Sequence, residues 1–347
     1  MINNILKTHP VFIAEISCNH NGSLKNAKKL ILEAKKSGAD FVKFQTYTPS
    51  TMTIDSLKKD FKIKKGIWRG KNLWQLYQLA QTPFEWQKIL FDFAKKNKIK
   101  CFSTPFDETA VDILAKLNCP IYKVSSFEIN HLPLIEKIAK LKKPMIISTG
   151  TAQLNEIDDA FFTAQKNGCS DITLLYCVSN YPAKSEDFNL NNIAFLKRRF
   201  NCKIGLSDHS VGDEISKLAV MAGAELIEKH IKLPNQKTGF DLKFSSTATE
   251  IKNLISELKK IYSILGKKNF IRKHSEKNAY QLKRSIYCIK NIKKGDKFSP
   301  QNIKIIRPGF SLSPKYYKKI LNKKSPYNIY HGQRLKKDLI KMLKLEI

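Results

Sequence analysis

Short apolar runs rich in β-branched residues alternate with longer amphipathic segments over residues 1–265. Because strand side chains alternate every two residues and helix faces recur about every 3.6, the short runs predict strands and the longer segments predict helices. Strands are predicted at 11–17, 40–46, 99–104, 120–126, 144–149, 171–178, 203–208 and 224–231. Helices are predicted at 24–37, 84–97, 108–117, 132–141, 153–167, 190–200, 211–222 and 249–265.

One of these helices carries a start signal. Thr82, Pro83 and Glu85 have the spacing of a capping box with a proline in the first turn. In such a box the threonine hydroxyl accepts a backbone hydrogen bond and the glutamate bonds back to the cap. The pattern therefore predicts that Thr82 caps the helix at 84–97.

Eight strand–helix repeats are the number that closes a (β/α)8 TIM barrel, an α/β fold that usually takes about 250 residues. The alternative is an open, doubly wound sheet, which would need a glycine-rich turn after its first strand to bind a dinucleotide. Residues 17–22 read SCNHNG, which lacks GxGxxG spacing. The pattern favours the barrel over residues 1–265 and leaves the open sheet as the alternative.

The pattern changes after the last predicted helix. Residues 266–280 are polar and basic, which predicts a linker. Two short strand-like runs follow, at 284–289 and 303–307, with turn residues at 294–296 between them. We therefore expect a second, small β-rich domain over residues 281–347.

An insertion separates the second predicted strand from the helix at 84–97. Residues 47–81, which include Trp68 and Trp74, are too many for an ordinary βα loop. Loops at the carboxyl ends of barrel strands carry function. We expect this insertion to shape a substrate pocket or a contact surface.

Composition limits the class of protein. The chain has 347 residues, of which 42% are hydrophobic and 27% charged, as in folded globular proteins. No apolar run approaches the ~20 residues of a membrane-spanning helix, and the start of the chain lacks a signal-peptide pattern. Seven cysteines without paired spacing indicate reduced thiols and a cytoplasmic location. Cys177 has no evident base near it in sequence, which favours a packed thiol over a nucleophile.

Positive charge is concentrated toward the carboxyl end. The chain carries 62 Lys and Arg against 30 Asp and Glu, a formal net charge of +32. Residues 251–347 hold 26 basic and 5 acidic residues, a net of +21. A basic region can follow a nucleic-acid backbone, but these are mostly single or paired lysines between apolar residues, as on a solvated surface. We expect attraction of small anionic substrates, and neither nucleic acid nor a membrane as partner.

Polar residues stand at the carboxyl ends of the predicted barrel strands, the face where barrel active sites lie. Lysine is rarely buried without a partner, so Lys43 and Lys123, each inside an apolar strand, are unusual. Two lysines and several hydroxyls at one barrel mouth predict a cradle for phosphate and carboxylate groups. The strand-end groups are Glu15, Lys43, Gln45, Ser103, Thr104, Lys123, Ser125, Ser126, Ser148, Ser179, Asp208, His209, Glu228 and His230.

Two histidines end neighbouring predicted strands. His209 and His230 would lie close enough to share a metal ion. The alternative, two neutral histidines that act as hydrogen-bonding or core groups, stays open. Glu228 lies on the same strand face as His230 and could be a ligand, a base or a supporting group. His20 and Asn21 could line the site from a loop.

A series of short motifs runs in order along nearly the whole chain: IAE at 13–15, NHNG at 19–22, VKFQ at 42–45, FSTPF at 102–106, YKVSS at 122–126, ISTG at 147–150, GLSDH at 205–209 and EKH at 228–230. Together they resemble the sialic acid synthase family. RSI at 284–286 and RPG at 307–309 resemble the antifreeze-like (SAF) domain of that family. The resemblance implies a TIM barrel followed by a small SAF domain.

Other motifs resemble one branch of the family, which makes pseudaminic acid. They are WRG at 68–70, LY at 76–77, TPFEW at 82–86 and FDETAVD at 106–112. The N-acetylneuraminate branch usually has CTNxYP after the sixth strand, whereas residues 177–182 read CVSNYP. The resemblance favours the pseudaminic acid branch, with N-acetylneuraminate or legionaminate synthesis as the alternative.

The resemblance implies a condensation of phosphoenolpyruvate with an open-chain amino-sugar aldehyde. Glu15 would orient or deprotonate a water molecule, and His209 and His230 would bind a divalent metal, Mn²⁺ or Mg²⁺. Arg307 would reach the sugar from the SAF domain of the other subunit in a domain-swapped homodimer. Phosphoenolpyruvate would be held by Lys43, Lys123, Ser126, Ser148 and Ser207. The sugar would face Gln45, Thr104, Tyr181 and Asp241.

Two rival readings belong to other classes. A phosphoenolpyruvate-dependent aldolase-type barrel would share the barrel but leave the carboxyl-terminal domain without a role. A non-enzymatic protein that binds ice or nucleic acid through its basic tail would rest on charge alone, and a salt-dependent gel-shift assay would test it.

Overall fold

Eight parallel strands form a closed barrel in the computed structural model, which describes residues 2–64, 69–266, 268–276 and 278–345. Neighbours pair in chain order, and the first strand closes on the last, so that Glu15 pairs with both Lys43 and His230. The predicted TIM barrel is confirmed and the open sheet is wrong. The strands are β1 Val11–Glu15, β2 Phe41–Thr46, β3 Lys100–Pro105, β4 Tyr122–Val124, β5 Met145–Ser148, β6 Ile172–Cys177, β7 Lys203–Asp208 and β8 Leu226–His230.

Helices surround the barrel at the positions that the amphipathic pattern predicts. In helix α2 (Leu24–Ser37), buried Ala27, Leu30, Ile31 and Ala34 repeat every three or four residues and face the strands. No helix among the described residues is both long and apolar enough to cross a membrane. The helices of this unit are α1 Ile2–Ile5, α2 Leu24–Ser37, α3 Pro49–Met52, α4 Leu73–Ala80, α5 Phe84–Lys96, α6 Glu108–Lys116, α7 Leu132–Lys140, α8 Leu154–Lys166, α9 Asn191–Phe200, α10 Glu214–Met221 and α11 Ala248–Leu265.

The predicted capping box at the start of α5 is wrong. The helix begins at Phe84 as predicted, but Pro83 and not Thr82 holds the cap position, and no side chain caps the helix. The hydroxyl of Thr82 instead lies 3.1 Å from Nε2 of His20, in the loop after β1. The Thr82 side chain therefore makes a tertiary contact instead of capping the helix as the local sequence pattern predicts.

The insertion at 47–81 folds over the carboxyl end of the barrel. It contains α3 and α4, and α4 begins with a capping box in which Asn72 accepts a hydrogen bond from the backbone of Gln75. Trp68, which the sequence singled out, lies outside the described residues. Leu76, Tyr77 and Ala80 of α4 line the cleft described below, which confirms that the insertion shapes a pocket.

The chain divides into two compact units, Met1–Gly266 and Lys267–Ile347. In the second unit β9 (Ser285–Cys288) and β10 (Ile303–Ile306) pair antiparallel, with the short helices α12 (Tyr317–Ile320) and α13 (Leu339–Met342). Its core includes Ile286, Phe298 and Ile320, each fully buried. The domain bounds 1–265 and 281–347, with a linker at 266–280, stay predictions.

Candidate active site

A cleft of about 230 Å³ opens at the carboxyl end of the barrel. The structure brings together in this cleft all the residues that the family resemblance assigns to the barrel unit, together with Ser125 and Glu228. Of the other predicted strand-end groups, Ser103, Ser179 and Asp208 do not line it. Arg307 belongs to the second unit, where it is exposed just after β10. The predicted residues that line the cleft are Glu15, Lys43, Gln45, Thr104, Lys123, Ser125, Ser126, Ser148, Tyr181, Ser207, His209, Glu228, His230 and Asp241.

Strand alternation selects which strand-end groups reach the cleft. Ser207 and His209 at the end of β7 line the cleft, as do Glu228 and His230 at the end of β8. Asp208 and Lys229, each between two of these residues in sequence, therefore face outward. Asp208 and Lys229 form an ion pair of 2.9 Å in which both side chains are fully buried. The Asp208 carboxylate also accepts a hydrogen bond from Ser216 of α10. Asp208 is therefore a structural group outside the mouth, contrary to the prediction that it joins the cleft.

Lys43 lies between two carboxylates on the barrel floor. Its Nζ is 2.8 Å from Oε1 of Glu228 and 3.4 Å from Oε2 of Glu15. Burial alone would lower the pKa of Lys43, but the two carboxylates outweigh it and raise that pKa. Burial opposes the charge of Glu228 as well, yet Lys43 and Lys123 lower its pKa to about 2. Lys43 and Glu228 are both charged at neutral pH.

Lys123 has a different environment. Its Nζ donates to Oγ of Ser148 at 2.6 Å and to the carbonyl of Val124 at 3.1 Å. No carboxylate of the described residues lies within ion-pair distance of it. Burial lowers the pKa of Lys123 to about 8. A buried ammonium without a contacting anion is suited to bind one.

A glycine brings two hydroxyls against the backbone beside Lys123. The amide of Gly150 donates to Oγ of Ser126 at 3.2 Å. A Cβ on Gly150 would lie 2.0 Å from Oγ of Ser179 and 2.8 Å from Oγ of Ser126. A side chain at position 150 would therefore displace both serine side chains, including Ser126 at the cleft wall.

Glu15 is buried at the end of β1 and accepts a hydrogen bond of 3.1 Å from Nε2 of Gln45. Its Oε2 has no hydrogen-bond partner among the described residues. Burial raises the pKa of Glu15, while Lys43 partly offsets the rise. Oε2 also lies 3.4 Å from Nζ of Lys43. A buried carboxyl group with a raised pKa is suited to proton transfer.

The two strand-end histidines lie side by side. The ring centroids of His209 and His230 are 5.3 Å apart, and Phe244 packs against both rings. Nδ1 of His230 lies 3.3 Å from Oδ2 of Asp241. The Tyr181 ring centroid is 4.5 Å from that of His209. The arrangement agrees with the prediction that these imidazoles are neighbours.

Cys177 has a basic neighbour that its place in sequence does not reveal. Its Sγ lies 3.6 Å from Nδ1 of His209, which also lies 3.2 Å from the carbonyl of Val178. Although burial opposes ionisation, His209 lowers the pKa of Cys177 to about 7. These contacts engage Nδ1 of His209 and leave its Nε2 as the nitrogen for a ligand.

Comparison with known proteins agrees with this geometry. The model of the NeuB family matches residues 30–270, and that of the SAF domain matches residues 283–341. The chain belongs to the NeuB family. It is 43% identical over 318 residues to a pseudaminic acid synthase of Helicobacter pylori, covering 91% of this chain and 93% of that protein. It is 40% identical to an N,N'-diacetyllegionaminic acid synthase of Campylobacter jejuni, covering 90% and 95%.

A solved structure is also similar. It is an N-acetylneuraminic acid synthetase of Leptospira borgpetersenii in complex with citrate, with a TM-score of 0.71 and 32% identity. The match covers 78% of this chain and 90% of that chain. The likeness in fold therefore extends to another sugar acid synthase.

The donor set of this NeuB family chain fits a divalent metal. The two neighbouring imidazoles offer nitrogen ligands, and Asp241, 3.3 Å from His230, is a nearby carboxylate; first-row divalent metals accept both ligand types. Among the described residues no group of three or more His, Cys, Asp or Glu side chains is arranged to hold a metal ion. Water and substrate oxygens would have to complete the coordination, as the open positions of a catalytic site require.

Two further observations complete the site. Glu128, which the sequence analysis missed, lines the cleft with a buried Oε2 that has no hydrogen-bond partner among the described residues, and burial raises its pKa. Glu128 lies two residues after Ser126 in a short 3-10 turn beyond β4. A search limited to the residues at strand ends therefore did not include it. His20 and Asn21 do not line the cleft, because His20 is buried against Thr82 and Trp86.

Proposed function

We propose that this chain is a metal-dependent pseudaminic acid synthase. It would condense phosphoenolpyruvate with an open-chain 2,4-diacetamido-2,4,6-trideoxy hexose of the altrose type and release phosphate. The observation that carries the proposal is one cleft that holds two buried lysines among serine hydroxyls together with a pair of imidazoles. The identity of the sugar rests on the 43% identity to the Helicobacter pylori protein.

Phosphoenolpyruvate fits the floor of the cleft. Lys123 with Ser148 offers a positive charge and a hydroxyl to one anionic group. Ser126 and Ser207 add hydroxyls, and Lys43 adds a second positive charge that Glu15 and Glu228 hold in place. Fixed positive charge of this kind binds the substrate and stabilises phosphate as it leaves.

The aldehyde of the sugar would lie beside His209 and His230. Mn²⁺ or Mg²⁺ bound by these histidines would act as a Lewis acid toward the aldehyde oxygen. The methylene carbon of phosphoenolpyruvate attacks the aldehyde carbon, which leaves cationic character at C2. Gln45, Thr104, Tyr181 and Asp241 would position the sugar, and such positioning removes much of the entropic barrier.

Glu15 is placed to act on water. Water adds to C2 and loses a proton, and cleavage of the C–O bond then expels phosphate and leaves the 2-keto acid. Oε2 of Glu15 lies 3.4 Å from the Lys43 ammonium but makes no hydrogen bond among the described residues, so it would orient that water and accept its proton. Gln45 holds the other carboxylate oxygen in place.

We also propose that the enzyme is a homodimer in which the SAF unit of one subunit covers the cleft of the other. Phe270 and Ile271, which are 110% and 73% exposed, form an apolar surface that a partner subunit could cover. Arg307 of that unit would then reach the sugar.

All seven cysteines are free, which favours a reducing compartment, the cytoplasm.

The decisive experiment is an incubation with phosphoenolpyruvate, Mn²⁺ and each of three aldehyde sugars, the precursors of pseudaminate, legionaminate and N-acetylneuraminate. Mass spectrometry and NMR should find phosphate and one nine-carbon keto acid, from the altrose-type sugar. A preference for either other sugar would move the chain to the corresponding branch, since the catalytic residues are common to all three.

The metal has its own test. Activity should be lost in EDTA and return with Mn²⁺ or Mg²⁺, and His209→Ala and His230→Ala should lower kcat far more than they lower thermal stability. Full turnover by metal-free enzyme would contradict the assignment of the two histidines.

A further inference from the structure

The cleft changes from charged to apolar along its depth. Inward-facing residues of β2 and the segment just beyond it are Lys43, then Gln45, then Tyr47. On the neighbouring strand β3, Thr104 pairs in register with Gln45, and Phe106 follows. Each two-residue step rises by about 6–7 Å. The cleft therefore has a charged floor, a polar middle layer and an aromatic rim.

Four apolar side chains line the cleft at this rim or in the insertion that follows it. We define the apolar wall as Met52 of α3, Leu76 and Ala80 of α4, and Phe106, all of which line the cleft. None of them carries a strong hydrogen-bonding side-chain group. The ring of Tyr47 supports the wall from one side, since it packs edge to face against Phe106 at 5.1 Å and Tyr77 at 5.8 Å.

The position of the wall determines which end of a sugar it meets. Phosphoenolpyruvate would occupy the lysines on the floor, and the aldehyde would lie at His209 and His230. An open-chain hexose held by its aldehyde must extend away from the strand ends, past Gln45 and Thr104. Its terminal carbon then lies against the rim rather than the floor.

We infer that the apolar wall receives the terminal methyl group of the sugar, so that the enzyme selects a 6-deoxy substrate against its 6-hydroxy counterpart. This inference rests on the proposed function and adds a subsite that distinguishes a methyl group from a hydroxymethyl group at C6 of the sugar. A hydroxymethyl group would lose hydrogen bonds to water against Leu76 and Ala80 without replacement, whereas a methyl group gains from leaving water. Pockets of this kind discriminate by roughly ten- to hundredfold.

The test compares kcat/KM for the 2,4-diacetamido-2,4,6-trideoxy hexose with kcat/KM for the same sugar bearing a 6-hydroxyl. Wild-type enzyme should favour the 6-deoxy sugar by roughly ten- to hundredfold. Leu76→Asn, which keeps the branched outline of the side chain and adds a polar amide, should reduce the ratio at least several-fold. Ala80→Ser is a smaller change in the same direction. Leu79→Asn on the exposed side of α4 is the matched control and should keep the wild-type ratio.

The possible outcomes separate the inference from the proposed function. If wild-type enzyme favours the 6-deoxy sugar and both wall variants keep that ratio, the wall does not read C6 and the inference is wrong while the function stands. If the variants respond instead to the size of the N-acyl groups, the wall binds an acetamido methyl, which also overturns it. If wild-type enzyme favours the 6-hydroxy sugar, both the proposed substrate and the inference fail. Unchanged phosphoenolpyruvate affinity in each variant establishes that the site is intact, and an unfolding temperature above that of the assay establishes that the variant is folded. Leu76 is buried, so Leu76→Asn is expected to unfold at a lower temperature than Ala80→Ser.

Discussion

Lysine has two different environments in the same cleft. Lys43 contacts two carboxylates and keeps its charge, whereas Lys123 contacts a hydroxyl and a carbonyl and has its pKa lowered to about 8 by burial. The charge of Lys43 is thus held in place by two carboxylates of the protein, whereas Lys123 has no carboxylate in contact among the described residues and its charge is the more available to an anionic substrate. The two residues are not interchangeable in function, although the sequence presents them alike.

A pH dependence of phosphoenolpyruvate binding follows from Lys123. Its protonated form binds the anion, so affinity should be full below pH 8 and fall as the pH rises through about 8 in the free enzyme. Lys123→Arg, whose charge persists to much higher pH, should flatten the profile even if it weakens binding overall. The dissociation constant measured by calorimetry from pH 6.5 to 9.5 checks this. A wild-type profile that is flat across pH 8 would assign the substrate charge to another group.

Glu15 is the second residue whose environment predicts a measurable effect. Glu15→Gln keeps the shape and the contact with Gln45 but cannot accept a proton. Turnover should fall by ~10²–10⁴-fold, the usual contribution of a general base, with phosphoenolpyruvate affinity little changed. Steady-state kinetics and calorimetry measure the two quantities. A near wild-type kcat in this variant would leave Glu15 a structural role only.

At the scale of elements, a buried ion pair joins β7, β8 and α10 directly behind the two histidines. Lys229 donates to Asp208 and to the carbonyl of Ser210, while Ser210 and Ser216 donate to the same carboxylate. These contacts hold the ends of both strands in register. His209 and His230 are the next residues along each strand, on the inner face, so their spacing depends on this pair.

Breaking that pair should destabilise the barrel measurably. Lys229→Met leaves a buried, unpaired carboxylate and should lower the free energy of unfolding by about 3–5 kcal/mol in urea denaturation. Asp208→Asn combined with Lys229→Met should recover much of the loss, because no charge is then left unpaired. Lys217→Met removes a more exposed ion pair of α10 with Asp213 and should cost less than about 1 kcal/mol. Equal losses for Lys229→Met and Lys217→Met would mean that the buried pair contributes nothing specific.

At the scale of the whole molecule, the proposed dimer makes each site depend on two subunits. Arg307→Ala and Glu15→Gln subunits should each be nearly inactive alone. Mixed after subunit exchange, they should partly recover, because one site of each mixed dimer has an intact barrel and an intact cap while the other carries both changes. The measurement is turnover against mixing ratio, with exchange verified separately by differently tagged subunits. If exchange occurs without recovery, the SAF unit serves its own barrel or Arg307 does not act in the site.

The alternation of apolar runs with amphipathic segments was enough to predict the barrel, because strand and helix periodicity are properties of the local backbone. The same local rule placed polar groups such as Lys43, Lys123 and His230 at strand ends, which parallel strands bring to one face. The second unit was predicted from a change in that pattern. These inferences needed no knowledge of which distant residues meet.

Contacts between residues far apart in sequence were decided only by the tertiary structure. Closure of the barrel pairs Asp208 with Lys229 and places Cys177 beside His209, and packing of the insertion gives the Thr82 hydroxyl to His20 instead of to α5. Burial and neighbouring charge, which set the pKa of Lys123 and of Glu228, follow from the same packing. Sequence determines the residue types and their strand faces, whereas proton affinities and partners depend on distances that exist only once the barrel has closed.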